Sequence, residues 1–293
     1  MAERIFITGG TGYLGTALLR LLVPRGAHVG ASYLHQPPSA FPQVAWARMD
    51  LRDPDAVRAI LDAFQPTAII HTAFVQYEPD LLAITGYGSG IVAEVAATLS
   101  ARLIHMSSDV IFDGEQPGPY TEDDPPNPIS AYGEAKALAE TLVRGAYPAA
   151  TIVRTSLIYG FQPLDRQTRF TLEIAAGQSS DRLFSDEYRC PIFVDDLASA
   201  LIELLNTEHA GVLNIAGADR VSRYELGCLL AQALGANPDQ IPSGRSADLP
   251  VRRPRNCTLD IARAQALLQA RLRGVREVLA QPLRISHTDT ITK

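Results

Sequence analysis

The sequence is poor in the features that mark secreted, metal-binding or membrane-embedded chains. Cysteine occurs 3 times in 293 residues, at Cys190, Cys228 and Cys257. An odd number so widely spaced offers neither a disulfide framework nor zinc-ligand spacing, so reduced thiols, a cytoplasmic setting and no metal are expected. No apolar run is long enough to span a bilayer. The opening MAERIFITGG is too short in apolar residues for a signal peptide. Basic charge is not in excess: 26 Lys+Arg stand against 32 Asp+Glu, a formal net charge of -6. Neither nucleic acid nor a membrane is therefore an expected partner. Internal repeats and low-complexity tracts are also missing. What is present, 46% hydrophobic and 20% charged residues, suits a globular protein with one large or two closely joined domains.

Strand and helix signals alternate from the start. Arg4–Thr8 (RIFIT) reads as a buried strand, 16–22 as a helix, 27–33 as a strand and 46–49 as a third. A helix over 53–64 opens on Asp-Pro. Then come a strand at 68–72, a helix at 90–100 and a strand at 103–107. A Pro/Gly/acid-rich loop at 114–128 leads to a helix at 130–144, and 151–159 reads as one strong strand. Regularity weakens over 161–190. Beyond it lie a strand and helix within 192–205, a short strand at 212–215, a helix at 222–234 with Ser222 and Glu225 at capping-box spacing, and a last helix near 260–269. This order predicts an α/β fold, a doubly wound parallel sheet with helices on both faces. The expected division is 1–160 with 191–217 returning to it, and a smaller unit from 161–190 and 218–293.

Between the first strand and helix lies Thr8-Gly9-Gly10-Thr11-Gly12-Tyr13-Leu14-Gly15. Glycines there let backbone amides approach a pyrophosphate, and the helix N-terminus favours its charge. A plain glycine-rich turn is the bland alternative, but strand before and helix after is the context that supports dinucleotide binding. Gly9, Thr11, Gly12, Tyr13, Leu14 and Gly15 are thus expected cofactor contacts, with Thr72 and Ala73 after the 68–72 strand. An NAD-selective site would carry an acid at the end of the second strand, where Ser32, Tyr33, Leu34 and His35 stand. The missing acid removes a repulsion against a 2′-phosphate, yet no arginine follows to bind one. NADP(H) is the expected coenzyme, NAD(H) the alternative, and Ser32 a contact.

Tyr132 and Lys136 stand at i,i+4 spacing, on one face of the expected helix. A phenol near pKa 10 is a poor acid-base group at neutral pH; a neighbouring ammonium is expected to lower that value, and the phenol can deliver a proton to a carbonyl oxygen. Alone, the pair reads as an exposed helical pair. Its context overturns that: the strand upstream ends in Ser107-Ser108-Asp109, and a hydroxyl at a strand's carboxyl end lies where such sheets bind substrates. Ser108 is the expected catalytic hydroxyl, with Ser107 in reserve; Tyr132 and Lys136 complete the triad, both also touching the cofactor.

The turn TGGTGYLG resembles that of extended short-chain dehydrogenase/reductases. The segments 107–114 (SSDVIFDG), 119–128 (PYTEDDPPNP) and 154–160 (RTSLIYG), with Asp195-Asp196, Arg253-Pro254 and Leu259-Asp260 in order, are similar to those of dTDP-4-dehydrorhamnose reductases. The resemblance implies a Rossmann-type sheet with a smaller C-terminal substrate-binding α/β domain. It implies NAD(P)H-dependent reduction of a 4-keto group on a nucleotide-activated 6-deoxy sugar, by a monomer or homodimer. Asp50-Leu51 resembles the family's adenine-contacting pair; a helix-start carboxylate is the other reading of Asp50. Ser108, Asp109, Arg154, Ser156 and Arg253 become expected substrate contacts, with Arg252 and Arg255 as possible diphosphate grips; a strand-end surface arginine and a solvated basic loop are the plainer readings.

Departures from the family pattern fall at Leu157, where it has tryptophan, at Ala17, where some members have a metal-bridging glutamate, and over 186–192. They bear on the sugar and speak against a metal-bridged dimer. A sugar-nucleotide epimerase is the nearest alternative; a dehydratase would follow Asp109 with a second acid, where Val110 stands. A non-catalytic regulatory subunit, as in a relative that partners a methionine adenosyltransferase, is the alternative from another class.

Overall fold

In the computed structural model, residues 3–77 and 79–283 are described. Seven parallel strands form the central sheet: β1 (Arg4–Thr8), β2 (His28–Tyr33), β3 (Ala45–Arg48), β4 (Ala68–His71), β5 (Arg102–Ser108), β6 (Thr151–Thr155) and β7 (Gly211–Asn214), in the order β7-β6-β5-β4-β1-β2-β3. The order reverses between β1 and β4, and the carboxyl ends of those strands open the crevice in which a doubly wound sheet binds ligands.

Alternation along each strand feeds two cores. Ile5, Ile7, Ile70, Ile104 and Val153 face one side, under helices α1 (Tyr13–Leu22) and, later in the chain, Val194–Leu204. Phe6, Ile69, Leu103 and Ile152 face the other, under α2 (Pro54–Phe64) and α3 (Gly88–Thr98), with Val143 of α4 (Ala131–Ala146). Both faces of β1, β4, β5 and β6 are buried, which is why they read as nearly continuous apolar runs.

The structure departs from the sequence reading in a few places. The expected 151–159 strand breaks after Thr155, and Ile158–Tyr159 pairs instead with Ile192–Phe193. The irregular 161–190 stretch holds α5 (Arg166–Ala175), capped by Asp165, whose side chain accepts from the Thr168 amide. A π-helical turn, Leu82–Tyr87, precedes α3. The 114–128 loop is pinned: Tyr120 bridges to Leu259, and the Tyr120 ring stacks on Phe112 at 3.9 Å. Past the sheet, α5, the Arg223–Ala233 helix and the Val275–Leu279 helix enclose a smaller core around Tyr159, Leu172, Leu226 and Val278. Among the described residues no helix is long and apolar enough to cross a membrane, all three cysteines are free, and no cluster suited to a metal ion occurs.

Candidate active site

The glycine turn is built by exclusion of side chains. Gly9 has φ +68°, and a methyl on it would lie 2.9 Å from the Ala73 Cα; one on Gly15 would collide with the Gly9 carbonyl oxygen. Below the turn, Thr8 Oγ1 accepts from the amides of Thr72 and Ala73 at 3.1 and 3.2 Å, and Thr72 Oγ1 donates to the Thr8 carbonyl at 2.7 Å. Thr72 and Ala73 thus wall the crevice opposite the turn. The N-terminus of α1 caps on Gly12 without a side-chain hydrogen bond and has no acid in its first turn, so its amides are open to an anion. Thr11 and Gly12 are exposed. This cradle fits the pyrophosphate of a dinucleotide.

Not every expected cofactor contact faces that space with its side chain. Leu14 and Leu51 are buried apolar groups, so only their backbones are available. Ser32 is buried, and its hydroxyl accepts from the Gly9 amide at 3.0 Å, so it supports the turn. Tyr13 reaches away, its hydroxyl donating to the Pro163 carbonyl at 3.0 Å. Asp50 does not start the helix, which Asp53 caps. Its carboxylate accepts from the Arg52 guanidinium, Nη2 at 2.7 Å and Nε at 3.0 Å, and from the Arg52 amide at 3.0 Å, and the guanidinium contact holds it below the usual carboxylate range.

The start of α4, which carries Tyr132 and Lys136, packs against the carboxyl end of β5, which carries Ser108. Ser130 caps α4, accepting from the Gly133 amide at 3.1 Å, which sets Tyr132 in the first turn. A side chain at Gly133 would strike the Val110 carbonyl, so α4 starts directly against the turn that follows Ser108. One helical turn on, Lys136 is buried and donates to the Met106 carbonyl at 2.9 Å, its Nζ lying 6.0 Å from the centre of the Tyr132 ring. Burial pulls the Lys136 amine down to about 8, with Glu140 opposing.

Here the structure corrects one expectation. The Tyr132 phenol is pushed above its ordinary value, by burial first and then by the field of Asp109 and Tyr77. Its surroundings therefore favour the neutral hydroxyl over the phenolate. Ser107 is buried and donates to Glu140 Oε1 at 2.6 Å, whereas Ser108 stays partly exposed.

Several expected substrate contacts lie behind the site. Asp109 is buried and accepts from Ser156 Oγ at 2.7 Å and from Ser108 Oγ at 3.3 Å. Burial raises its carboxyl, against the pull of Arg189. Ser156 in turn accepts from the Cys190 amide at 3.2 Å. Both therefore brace Ser108 from below. Arg154 is neither a substrate ligand nor a surface residue: it is 1% exposed and paired with Glu140. Arg253 pairs with the buried Glu187, and Arg252 and Arg255 with Glu115, so none of these three is a free cation. Leu157 sits at the edge of the smaller core.

Sequence reasoning missed Phe74 and Glu140. The Phe74 ring is 49% exposed, lies 5.7 Å from that of Tyr132 and 5.0 Å from Lys136 Nζ, and so roofs the pair. Glu140 follows Lys136 at i,i+4 on α4, a helical spacing that offered a signal. Beneath lie His71 and His105, fully buried neighbours with ring centres 5.3 Å apart. Burial pushes His71 down to about 3 and His105 well below its ordinary value, so both are neutral.

The sequence matches the model described as RmlD substrate binding domain over residues 3–287. The chain belongs to that family. Among its relatives, dTDP-4-keto-6-deoxy-D-glucose reductase of Streptomyces niveus is 31% identical over 258 residues, covering 84% of this chain and 85% of its own. Methionine adenosyltransferase 2 subunit beta of Rattus norvegicus is 31% identical over 283 residues, covering 91% and 83%. In fold, this member of the RmlD family resembles the dTDP-4-dehydrorhamnose reductase of Bacillus anthracis, solved in complex with NADP: TM-score 0.81, 22% identity, 95% of this chain and 96% of that one.

Proposed function

We propose that this protein is an NAD(P)H-dependent reductase of a nucleotide-activated 4-keto-6-deoxy sugar. One arrangement carries the reading: Tyr132 one helical turn from the buried Lys136, on a helix that starts against the carboxyl end of the strand ending in Ser108, beside a dinucleotide cradle. The amides at the start of α1 would hold the pyrophosphate, and Lys136 the nicotinamide ribose. Bound coenzyme supplies hydride to the carbonyl carbon. Ser108 and Tyr132 donate hydrogen bonds to the carbonyl oxygen as negative charge grows there, and Tyr132 passes its proton to that oxygen. The single Ser108 O–H, given to Asp109 Oδ1 at 3.3 Å, would turn from that carboxylate to the carbonyl oxygen. The Streptomyces niveus relative supports the substrate class.

The test is a panel of nucleotide 4-keto sugars with NADPH and NADH followed separately. Stoichiometric oxidation of one coenzyme with any member is the expected result. Tightly retained NAD with no net consumption indicates an epimerase. A second reading, a regulatory subunit keeping the same fold, is favoured by the similarity to methionine adenosyltransferase 2 subunit beta. It predicts no turnover on the whole panel together with binding to a methionine adenosyltransferase.

A further inference from the structure

The end of β2 lacks an acid, and its direct continuation, residues 34–36, brings no cation but His35. The sheet brings one from elsewhere. β3 pairs with β2 in parallel register, Tyr33 opposite Arg48, so Arg48 ends its strand beside the place where a bound adenosine ribose meets the sheet. The Arg48 side chain folds across this end: its Nε donates to the Leu34 carbonyl at 3.1 Å. That single bond fixes the guanidinium next to the carboxyl end of β2. Its two Nη groups have no carboxylate partner among the described residues.

The neighbouring arginine behaves differently. Arg52 is fully engaged, by Asp50 and by Asp80, and Asp50, the one acid close by, is taken up by that pairing. On the other side, Ser32, one residue before Tyr33, accepts from Gly9 through its hydroxyl and from Gly10 through its carbonyl at 2.8 Å. The glycine cradle, the end of β2 and Arg48 thus lie along one edge of the sheet.

We infer that Arg48 is the anchor for a phosphomonoester on the adenosine ribose, and that it makes this protein select NADPH over NADH. The inference rests on the coenzyme-binding part of the proposed function and not on the sugar. A planar guanidinium with unshared donors is the group best matched to a phosphate dianion; an acid at the end of β2 would repel that same phosphate.

The sequence provides its own probe. Trp46, the single tryptophan, lies two residues before Arg48, and a methyl on Gly10 would touch its ring at 2.8 Å. Its fluorescence therefore reports on coenzyme without any sugar present. NADPH and NADH are titrated against wild type, Arg48→Ala, Arg48→Lys and Arg52→Ala, with adenosine 2′,5′-bisphosphate and adenosine 5′-phosphate as competitors.

Wild type should bind NADPH at least about tenfold more tightly than NADH. Arg48→Ala should raise the NADPH Kd about tenfold or more, a loss of about 1.4 kcal/mol or more, and move that of NADH less than about twofold. Arg48→Lys should keep part of the preference, and Arg52→Ala, which frees Asp50 to compete for Arg48, should weaken it less than Arg48→Ala does. The bisphosphate should outcompete the monophosphate on wild type and lose that advantage on Arg48→Ala. Equal affinity of wild type for the two coenzymes, or an equal loss of both in Arg48→Ala, overturns the assignment. Failure of every sugar to turn over would sink the reductase reading and leave this one standing.

Discussion

Arg154 and Glu140 form a closed bidentate pair inside the protein: Nε meets Oε1 at 3.0 Å and Nη2 meets Oε2 at 2.9 Å, with both side chains 2% exposed. Arg154 also donates to the carbonyls of Glu122 and Asp124 at 3.3 and 3.1 Å, and its guanidinium lies over the Phe112 ring. Glu140 accepts from Ser107 as well. The pair joins β6, α4, β5 and the 114–128 loop directly behind the triad.

Removing one partner leaves the other charge buried. Arg154→Met should cost roughly 3–5 kcal/mol in urea unfolding, and the double change Arg154→Met/Glu140→Leu should recover part of it. Protein that folds should keep an ordinary KM for its sugar. An unchanged unfolding midpoint with a raised KM would return Arg154 to the substrate.

Tyr132→Phe removes the hydroxyl proposed as proton donor and keeps the ring against Phe74. Turnover should fall at least about a hundredfold, the scale of a positioned acid, while the coenzyme Kd and the Tm stay near wild type. A loss below tenfold would hand the proton to another group.

Gly15→Ala tests the cradle. The added methyl meets the backbone of Gly9 and Gly10, not a yielding side chain. The turn must shift, so coenzyme affinity should fall at least about tenfold, with a lower Tm. Gly177→Ala is the contrasting change: Gly177 has φ +71° with open space around it, so backbone strain alone should lower the Tm and leave coenzyme binding intact.

The sheet and the placement of Tyr132 and Lys136 on one helix were legible because their signals are local: alternating apolar runs, glycines between strand and helix, a tyrosine and lysine one turn apart. Side-chain direction was not. Arg154 closes a strand just as a substrate ligand would, and only the position of Glu140 across the fold turns it inward. Helix α5 was hidden because its buried face mixes Thr168 and Thr171, both 0% exposed, with Leu172 and Ile174, which blurs the apolar period. Arg48 escaped notice because the search for a phosphate-binding arginine followed β2 along the chain, while the sheet delivers it sideways from β3. The lowered phenol expected for Tyr132 assumed that its lysine neighbour would dominate. The structure spends that ammonium on the Met106 carbonyl, and burial decides the sign.

Lys136 should then govern the alkaline limb of the pH profile. Its amine is drawn from 10.5 down to about 8 by burial, while Tyr132 stays protonated well above that. In the free enzyme the ammonium is present below about 8 and lost as pH rises through it, so kcat/KM should decline with an apparent pKa near 8. Stability should move the other way. Between about 8 and 10.5 the unfolded chain binds a proton that the folded state has released, so this group's contribution to stability rises with pH across that window. Lys136→Met should remove both effects together: low activity with no limb near pH 8, and a Tm at neutral pH no lower than wild type, since a desolvated charge has gone. A limb that survives the substitution would have to belong to another group.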